Sequence, residues 1–218
     1  MLNGVFVKNY PAPEANIREI LRYAGQKEEA DENVLRLLND CLAESADAVS
    51  CRVCYRVMTV EEAFALFKTE SKLFFRKLCG AAYVAAFAAT VGIGLDSLLL
   101  RYAESSPSKA LMLQAIGAER IESLCDAFCG EIEAGCEKRG MFARPRFSAG
   151  YGDFPIEAQR TFFEILDCPR KIGLTLNESL LMTPTKSVTA LVAIGRSEER
   201  TGKDCAECGK TDCDFRKG

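Results

Sequence analysis

The chain of 218 residues contains no histidine. Histidine is the usual general base near neutral pH and the commonest metal ligand, so its absence removes both roles. Nucleophile pairs of the Ser-His or Cys-His kind are excluded for the same reason. Any metal in this protein must therefore be bound by thiolates or carboxylates.

Long apolar runs and strongly basic stretches are missing as well. The longest uncharged run, 78–95, is rich in alanine and glycine and too short to span a bilayer. The net charge of -3 is spread over both signs, without a basic stripe suited to binding phosphates. The first residues lack the charged-then-apolar pattern of a secretory signal. We therefore expect a cytoplasmic protein that binds neither a membrane nor nucleic acid.

Cysteine, by contrast, is abundant, with 11 in the chain. Without a secretory signal this predicts reduced thiols, because disulfides are rare in the cytoplasm. The last three have the spacing Cys-x2-Cys-x4-Cys, at Cys205, Cys208 and Cys213. This spacing brings three sulfurs within reach of one zinc ion or iron-sulfur cluster. The alternative is free thiols in a polar terminus that buries little surface.

The sequence leaves the fourth ligand of such a metal centre open. It would be another cysteine, Asp212, an exogenous molecule, or nothing. Cys168 and the pair Cys51 and Cys54 are the obvious candidates. The pair lies in a predicted strand, however, where its odd separation places the two side chains on opposite faces.

The order of the predicted elements indicates an α+β fold. Strands and helices do not alternate regularly, which favours an antiparallel twisted sheet with helices packed against it over a doubly wound fold. Strands are predicted at 48–58 and 81–91. Residues 180–182 and 188–194 flank a turn at 183–186 and predict a hairpin.

Helices are predicted at 14–23, from 31, at 69–78, 97–103 and 107–138, and from 155. No internal repeat or Gly/Ser linker divides the chain. We expect one compact unit, residues 1–200, followed by a cysteine-rich tail, residues 201–218.

The longest predicted helix carries an acid within an apolar stripe. Intervals of three and four mark this face, which contains Ala115, Ala118, Glu122, Cys125, Cys129, Ile132 and Cys136. Core packing is the favoured role for the three cysteines. Glu122 is either an edge residue that reaches water or a buried acid that waits for an amino group or a ribose hydroxyl. Spacing alone leaves both interpretations open.

Residues 146–155, RFSAGYGDFP, combine the features of a ligand loop. The guanidinium of Arg146 can hold a carboxylate through two parallel hydrogen bonds. Tyr151 offers a flat stacking face, and Gly150 and Gly152 allow the backbone to approach a ligand closely. The competing interpretation is a bulged strand end whose arginine pairs with a surface acid.

Three motifs follow one another in this half of the chain. They are Arg146-x3-Gly150-Tyr151, a helix opened by Pro155, and the segment LTLNESLLMTPTKSVTA at 174–190. Together they resemble the activation, or reactivation, domain of cobalamin-dependent methionine synthase. The Gly-Tyr-Gly-Asp-Phe-Pro sequence and the cysteine-rich tail are similar to the free-standing branch of that family. The resemblance runs from about residue 79 to residue 195.

The resemblance implies a chain that binds S-adenosylmethionine and docks on a cobalamin-binding module. There, after oxidation of the cobalt to cob(II)alamin, a donor supplies an electron and the sulfonium methyl group is transferred to cobalt. The protein would be a component of methionine synthase activity that acts with a separate cobalamin-binding protein. The family's cobalamin motif, Asp-x-His-x-x-Gly, needs a histidine, so the corrinoid must arrive on methionine synthase or another corrinoid methyltransferase.

The resemblance also implies which residues bind S-adenosylmethionine. Arg146 and Tyr151 match the arginine and tyrosine that contact it in the family, and Phe147 contributes its backbone beside them. Glu122 matches the acid that precedes the loop. The family has a further acid near the N-terminus, which would fall between residues 10 and 28.

A second hypothesis is a non-catalytic redox or scaffold module whose cysteine tail carries zinc or an iron-sulfur cluster. A third hypothesis unites the two, because a centre in the tail could supply the electron that methyl transfer requires.

Overall fold

A computed structural model describes residues 4–26 and 29–196. Its elements are β1 (Phe6–Tyr10), α1 (Ile17–Tyr23), α2 (Glu32–Ser45), β2 (Cys51–Thr59), α3 (Val60–Phe67), α4 (Lys72–Leu78), β3 (Ala81–Thr90), α5 (Gly94–Tyr102), α6 (Pro107–Glu137), β4 (Phe142–Ala143), a 3-10 turn (Ile156–Ala158), α7 (Gln159–Leu166), α8 (Cys168–Ile172), β5 (Thr175–Leu176), β6 (Met182–Thr183) and β7 (Ser187–Gly195). The predicted metal ligands Cys205, Cys208 and Cys213 lie outside the described residues.

Five strands form one antiparallel sheet in the order β1-β2-β3-β7-β4. The long strand β3 lies at its centre and pairs with β2 on one side and β7 on the other. β5 and β6 form a separate short pair. Helices pack against this sheet, so the predicted α+β class with an antiparallel sheet is confirmed.

The sheet buries a separate core on each face. Successive side chains of a strand point to opposite faces. On β2, Cys51 lies in the core beneath α1, α2, α5 and α6, whereas Cys54 lies in the core beneath α3, α4, α7 and α8. The prediction that these two cysteines lie on opposite faces of one strand is therefore confirmed.

The predicted hairpin around 183–186 is wrong. β6 pairs with β5, while β7 pairs with β3 and β4. Asp96 of α5 stabilises the connection between β6 and β7. Its carboxylate accepts hydrogen bonds from the backbone N–H (2.8 Å) and the hydroxyl (2.6 Å) of Thr185. Turn-forming residues here connect two strands that belong to different sheets.

The helix predicted at 107–138 is observed as α6, whose 31 residues extend over about 46 Å. It packs against α1, α2 and α5 on one face of the sheet. Gly117 lies in a close contact, because a Cβ atom there would lie 2.4 Å from Cδ2 of Leu95 and 2.9 Å from Cγ of Lys186. Within the described ranges, no helix is long and apolar enough to cross a membrane.

Two glycines of α6 allow a matched test of this packing. Gly117→Ala should lower the free energy of unfolding by about 1–3 kcal/mol, because Leu95 and Lys186 must move. Gly130→Ala should raise it by up to about 1 kcal/mol, because a Cβ there meets nothing within 4 Å and alanine favours the helix. Urea denaturation measures both values, and equal stabilisation by the two substitutions would contradict the close contact at Gly117.

Candidate functional site

An extended segment alongside β7 carries two of the predicted site residues. The N–H of Arg144 donates to the carbonyl of Ala193 at 2.8 Å. Phe147 and Leu191 exchange both backbone hydrogen bonds, at 3.0 and 2.9 Å. Because this backbone is extended, the consecutive side chains of Arg146 and Phe147 leave it toward opposite faces of the sheet.

Phe147 anchors the segment in the core beneath α3, α4 and α7. Its ring centroid lies 6.2 Å from that of Phe74 and 5.9 Å from that of Phe154. Its backbone N–H is already bonded to Leu191 and cannot donate to a ligand. Its carbonyl oxygen has a second lone pair and can still accept a hydrogen bond.

Arg146 extends to the other face and contacts two acids of α6. Its Nη2 lies 2.6 Å from Oε2 of Glu122, and its Nη1 donates to Asp126. Burial alone would lower the pKa of Arg146, but the hydrogen bond to Asp126 and the surrounding negative charge raise it. The guanidinium is therefore charged and held in one place, with a side-chain exposure of 20%.

These contacts show how Glu122 lies on its helix. Its side chain is 39% exposed, so it is an edge residue of the stripe rather than a fully buried acid. The structure nevertheless brings it into direct contact with Arg146, from which it is separated by 24 positions. Two site residues that the sequence predicted separately are thus neighbours.

A cleft of about 240 Å³ lies between α1 and α6. We call it the acidic cleft, and its lining consists of Asn16, Glu19, Tyr23, Glu119, Glu122, Ser123 and Asp126. All four charged residues of this lining are acids, which suits a cationic ligand. Burial, followed by the charge of Glu122, raises the pKa of Tyr23, so its phenol remains a neutral donor.

Glu119 is the buried acid of this cleft, and the sequence analysis missed it. The residue is 2% exposed, and its Oε1 accepts from Oγ of Ser123 at 2.6 Å and from the N–H of Asn16 at 3.3 Å. Its Oε2 is buried without a hydrogen-bond partner among the described residues, and Nε of Arg120 is 4.0 Å away. An unsatisfied buried acceptor costs about 1–3 kcal/mol, so this oxygen favours a ligand that donates.

Two of the three additional acids of the cleft, Glu19 and Glu119, have a partial sequence signal. Glu119 precedes Glu122 by three positions, a spacing that places two residues on adjoining turns of one helix face. Glu19 falls in the range where an N-terminal acid was expected, and it lies in α1 against α6. The contact between α1 and α6 that brings these acids together could not be derived from either helix alone.

Tyr151 lies at the tip of a tight turn in the ligand loop. The N–H of Gly150 donates to the carbonyl of Phe154 at 2.8 Å, and the N–H of Phe154 donates to the carbonyl of Tyr151 at 3.0 Å. Gly150 and Gly152 have φ angles of 88° and 60°, which explains why glycine is needed on both sides of Tyr151. Phe154 is buried, whereas Tyr151 is 70% exposed and free to stack on a planar group.

The predicted residues do not all meet in one place. Glu122 lines the acidic cleft, and Arg146 borders it through Glu122 and Asp126. Tyr151 and Phe147 are not part of the lining. A ligand that contacted all of them would have to extend from the cleft along the ligand loop.

Asp153 fixes the far side of the ligand loop. Its carboxylate accepts from the N–H of Lys72 (2.7 Å), the N–H of Leu73 (2.9 Å) and the hydroxyl of Ser71 (2.8 Å). These bonds cap the first turn of α4, where an acid also interacts favourably with the helix dipole. Asp153 thus ties the turn that carries Tyr151 to a second element of the fold.

A larger cleft of about 530 Å³ lies along the C-terminal part of α6. Mainly apolar side chains line it, including Phe128, Ile132 and Met141. None of the predicted site residues belongs to its lining. Within residues 4–26 and 29–196, no group of three or more cysteines or acids is arranged to hold a metal ion.

A comparison with known protein families identifies the class to which this fold and the ligand loop belong. Residues 74–200 match the family "Vitamin B12 dependent methionine synthase, activation domain". Because the match spans more than half of the chain, the protein belongs to this family. The resemblance inferred from residues 146–190 is therefore confirmed.

One solved structure shows the same fold. It is described as "Crystal Structure of the MetH Reactivation Domain bound to AdoHcy" and matches with a TM-score of 0.61. The two chains are 17% identical, and the match covers 92% of this chain and 80% of the other. A comparison with curated proteins finds no match.

The role of Asp153 can be tested through pH. Hydrogen bonds from Leu73, Ser71 and Lys72 lower the pKa of Asp153. A carboxyl group whose pKa is lowered by folding stabilises the fold above its unfolded pKa of about 3.9 and loses this effect as the pH falls through the folded pKa. Asp153→Asn should therefore lower the melting temperature at pH 7, and the difference from wild type should shrink in acid below about pH 4.

Asp40→Asn, which changes an exposed acid of α2, serves as the control and should show a much smaller difference at pH 7. A difference between wild type and Asp153→Asn that stayed constant from pH 7 to pH 3 would exclude the charged carboxylate as the cause.

Proposed function

We propose that this chain binds S-adenosylmethionine where the acidic cleft meets the ligand loop. There it would support reductive methylation of cob(II)alamin on a partner methionine synthase or related corrinoid methyltransferase. The observation that carries this proposal is the guanidinium of Arg146, held at the rim of an acid-lined cleft by Glu122 and Asp126. The similar solved structure is bound to AdoHcy, the demethylated form of the same molecule.

The charges of the site fit the amino-acid part of this ligand. S-adenosylmethionine has a carboxylate, an ammonium group and a sulfonium group. Arg146 offers the ligand carboxylate a planar cation that is already in position, and the free Oε2 of Glu119 offers the ammonium an acceptor. The other acids of the cleft are paired with arginines, Glu19 with Arg22 and both Glu122 and Asp126 with Arg146.

The ligand loop supplies the contacts that the nucleoside part requires. Tyr151 presents an exposed ring on a backbone that Phe147 and Phe154 hold in place. The carbonyl of Phe147 remains available as an acceptor. We therefore assign Tyr151 to stacking on the adenosine and Phe147 to a backbone contact beside it.

The chemistry explains why a chain without histidine can perform this task. When S-adenosylmethionine is bound, it supplies a methyl group whose bond to sulfur breaks as a bond to the partner's reduced cobalt forms, with AdoHcy as the leaving group. The preceding reduction of cob(II)alamin to cob(I)alamin takes one electron from a separate donor. Neither step requires a general acid or base, so the residues of this chain act by positioning the reactants.

The division of the chain into two parts is also a proposal. The family match ends at residue 200 and leaves the cysteine-rich residues 201–218 outside the matched domain. This supports the boundary at residue 200 between an activation-domain-like unit, residues 1–200, and a separate tail.

Replacement of Arg146 tests the site directly. Arg146→Ala should weaken the binding of S-adenosylmethionine by about 1.5–3 kcal/mol, the range for a hydrogen bond to a charged group. This corresponds to a roughly 10- to 150-fold increase in Kd, measured by calorimetric titration. Arg170→Ala, which changes an arginine that is 85% exposed in α8, is the control and should leave Kd unchanged. Absence of any binding heat with the wild-type protein would refute the proposed function.

Replacement of Glu119 tests which group of the ligand the cleft holds. Glu119→Gln should weaken S-adenosylmethionine and AdoHcy equally, by about 1.5–3 kcal/mol, because both ligands have the ammonium group. The melting temperature of the unliganded protein should not fall, since Oε2 has no donor to lose among the described residues. This separates a role in binding from a role in folding.

Glu133→Gln, which changes an exposed acid of the same helix, is the matched control and should bind both ligands like wild type. A loss confined to S-adenosylmethionine would place Glu119 near the sulfonium group instead, and unchanged binding of both ligands would remove Glu119 from the site.

A further inference from the structure

The larger cleft, of about 530 Å³, has no part in the proposed function. It shares no lining residue with the acidic cleft. Its volume lies within the range of about 300–1,000 Å³ that is typical of small-molecule sites, which are mostly apolar and contain a few well-placed polar groups. Its lining comes mainly from α6, from the residues just after α6 and from strands of the five-stranded sheet.

The sheet forms the floor of this cleft. Thr59 of β2 pairs with Tyr83 of β3, which in turn pairs with Ile194 of β7, so these three residues form one row across the sheet. Tyr55 comes four positions before Thr59 on β2 and therefore lies on the same face. The helices α1, α2 and α5, which pack on this face elsewhere, contribute no residue to the lining. Two tyrosine rings are thus left open to the cleft.

The C-terminal part of α6 forms the wall. Phe128, Ile132 and Cys136 recur at intervals of four and line the cleft. The ring of Phe128 packs against that of Tyr55, with centroids 5.2 Å apart. Gly135 also belongs to the lining, and a Cβ atom there would meet only Nη1 of Arg139, at 3.8 Å. The wall therefore has room for a ligand beside this glycine.

The charged side chains of the lining include one cation that no acid neutralises. Glu131 pairs with Lys8, and Glu62 pairs with Arg56. Arg139 is exposed, and Nη1 of its guanidinium donates to a backbone carbonyl in the last turn of α6 at 2.7 Å. Among the described residues, no acid forms an ion pair with Arg139. Its remaining N–H groups can therefore bind an anion at the mouth of the cleft.

We propose that the larger cleft binds a small aromatic acid. Its ring would lie against Tyr55, Tyr83 and Phe128, and its anionic group would bind Arg139. Aromatic side chains favour a planar apolar ligand, because offset-stacked and edge-to-face contacts add to the burial of apolar surface. The guanidinium favours an anionic ligand over a neutral one of the same shape.

Two fluorescent probes that differ by one anionic group test this proposal. Anilinonaphthalene sulfonate has an aromatic body with one sulfonate, and N-phenylnaphthylamine has the same body without it. The full chain should bind the sulfonate probe at one saturable site and with the lower Kd of the two. Arg139→Ala should raise this Kd about two- to fivefold, as expected of a charged contact that stays partly in water, and should leave the Kd of the neutral probe unchanged.

Lys138→Ala is the matched control for charge. It removes an exposed cation next to Arg139 that does not belong to the lining. This variant should bind both probes like wild type. An equal effect of Arg139→Ala on the two probes would contradict the assigned contact with the anionic group.

Two glycines of α6 test the location of the site. Gly135→Leu places a side chain inside the cleft and should raise the Kd of both probes at least about tenfold, because it fills the space that the ligand needs. Gly130→Leu places the same side chain at an exposed position outside the lining and should bind both probes like wild type. Leucine favours the helix over glycine, so neither substitution should lower the melting temperature.

Displacement of the sulfonate probe tests the class of ligand. Naphthoate, a planar carboxylate, should displace the probe at a lower concentration than decanoate, a flexible carboxylate of similar size. Naphthoate should also raise the melting temperature of the wild type and not that of Gly135→Leu, because only a folded protein with an open cleft binds it.

Four further results would overturn the proposal. They are a wild type that binds no probe saturably, equal probe affinity of wild type and Gly135→Leu, stronger displacement by decanoate than by naphthoate, and a dimer that dissociates as the probe binds. The last result, seen by sedimentation, would place a second copy of the chain in the cleft. Gly135→Leu should keep wild-type affinity for S-adenosylmethionine, and a failure of the wild type to bind S-adenosylmethionine would refute the proposed function alone.

Discussion

The candidate site depends on one backbone constraint, the pairing of Phe147 with Leu191. Because this pairing holds the segment extended, Arg146 and Phe147 must leave it on opposite faces. Phe147 packs against Phe74 and Phe154 in the core on one face of the sheet, and this packing holds the segment against the sheet. The side chain of Arg146 therefore points to the opposite face, where it contacts Glu122 and Asp126 of α6. A charged contact is thus positioned by a hydrophobic one on the far side of the sheet.

The second constraint is electrostatic. Arg146 is the cation between Glu122 and Asp126, and the cleft beyond these acids contains Glu19 and Glu119 as well. Glu19 is paired with Arg22, so the acid of the cleft with an unmet need is Glu119, one of whose buried oxygens lacks a hydrogen-bond donor among the described residues. A ligand with a positively charged donor relieves this feature. Burial at Glu119 thus favours such a ligand, independently of the family to which the chain belongs.

Local pattern predicted the elements well where one face of a helix or strand is buried. The helix observed as Pro107–Glu137 and the strand observed as Ala81–Thr90 follow from their apolar periodicity and from Pro107 and Gly80 at their ends. The prediction of a hairpin around 183–186 was wrong because turn-forming residues show where a chain bends and not which strands pair. Those partners are set by packing that is distant in sequence.

The candidate site, too, could be predicted from the sequence only where its residues are close together along the chain. The ligand loop could be recognised because its residues are contiguous, whereas the acidic cleft combines α1 and α6 from distant parts of the chain. Spacing drew attention to Glu122, which is half-exposed, while the buried acid is Glu119 one turn earlier. Helical periodicity defines a face to within about one residue per turn, and only packing against α1 decides which member of that face loses contact with water.

Burial separates the cysteines of the described residues into enclosed and accessible thiols. Cys51, Cys54 and Cys125 are enclosed, and small apolar side chains in a close-packed core need no further explanation. Burial also raises the pKa of Cys125, which keeps its thiol protonated and unreactive. Six of the eight cysteines in the described residues are buried, so cysteine in this part of the chain is mostly a matter of packing. Among the described residues Cys79 is the exposed thiol and Cys129 is half-buried, and the carbonyl of Cys79 accepts a hydrogen bond from Arg144, in the extended segment that leads into the ligand loop.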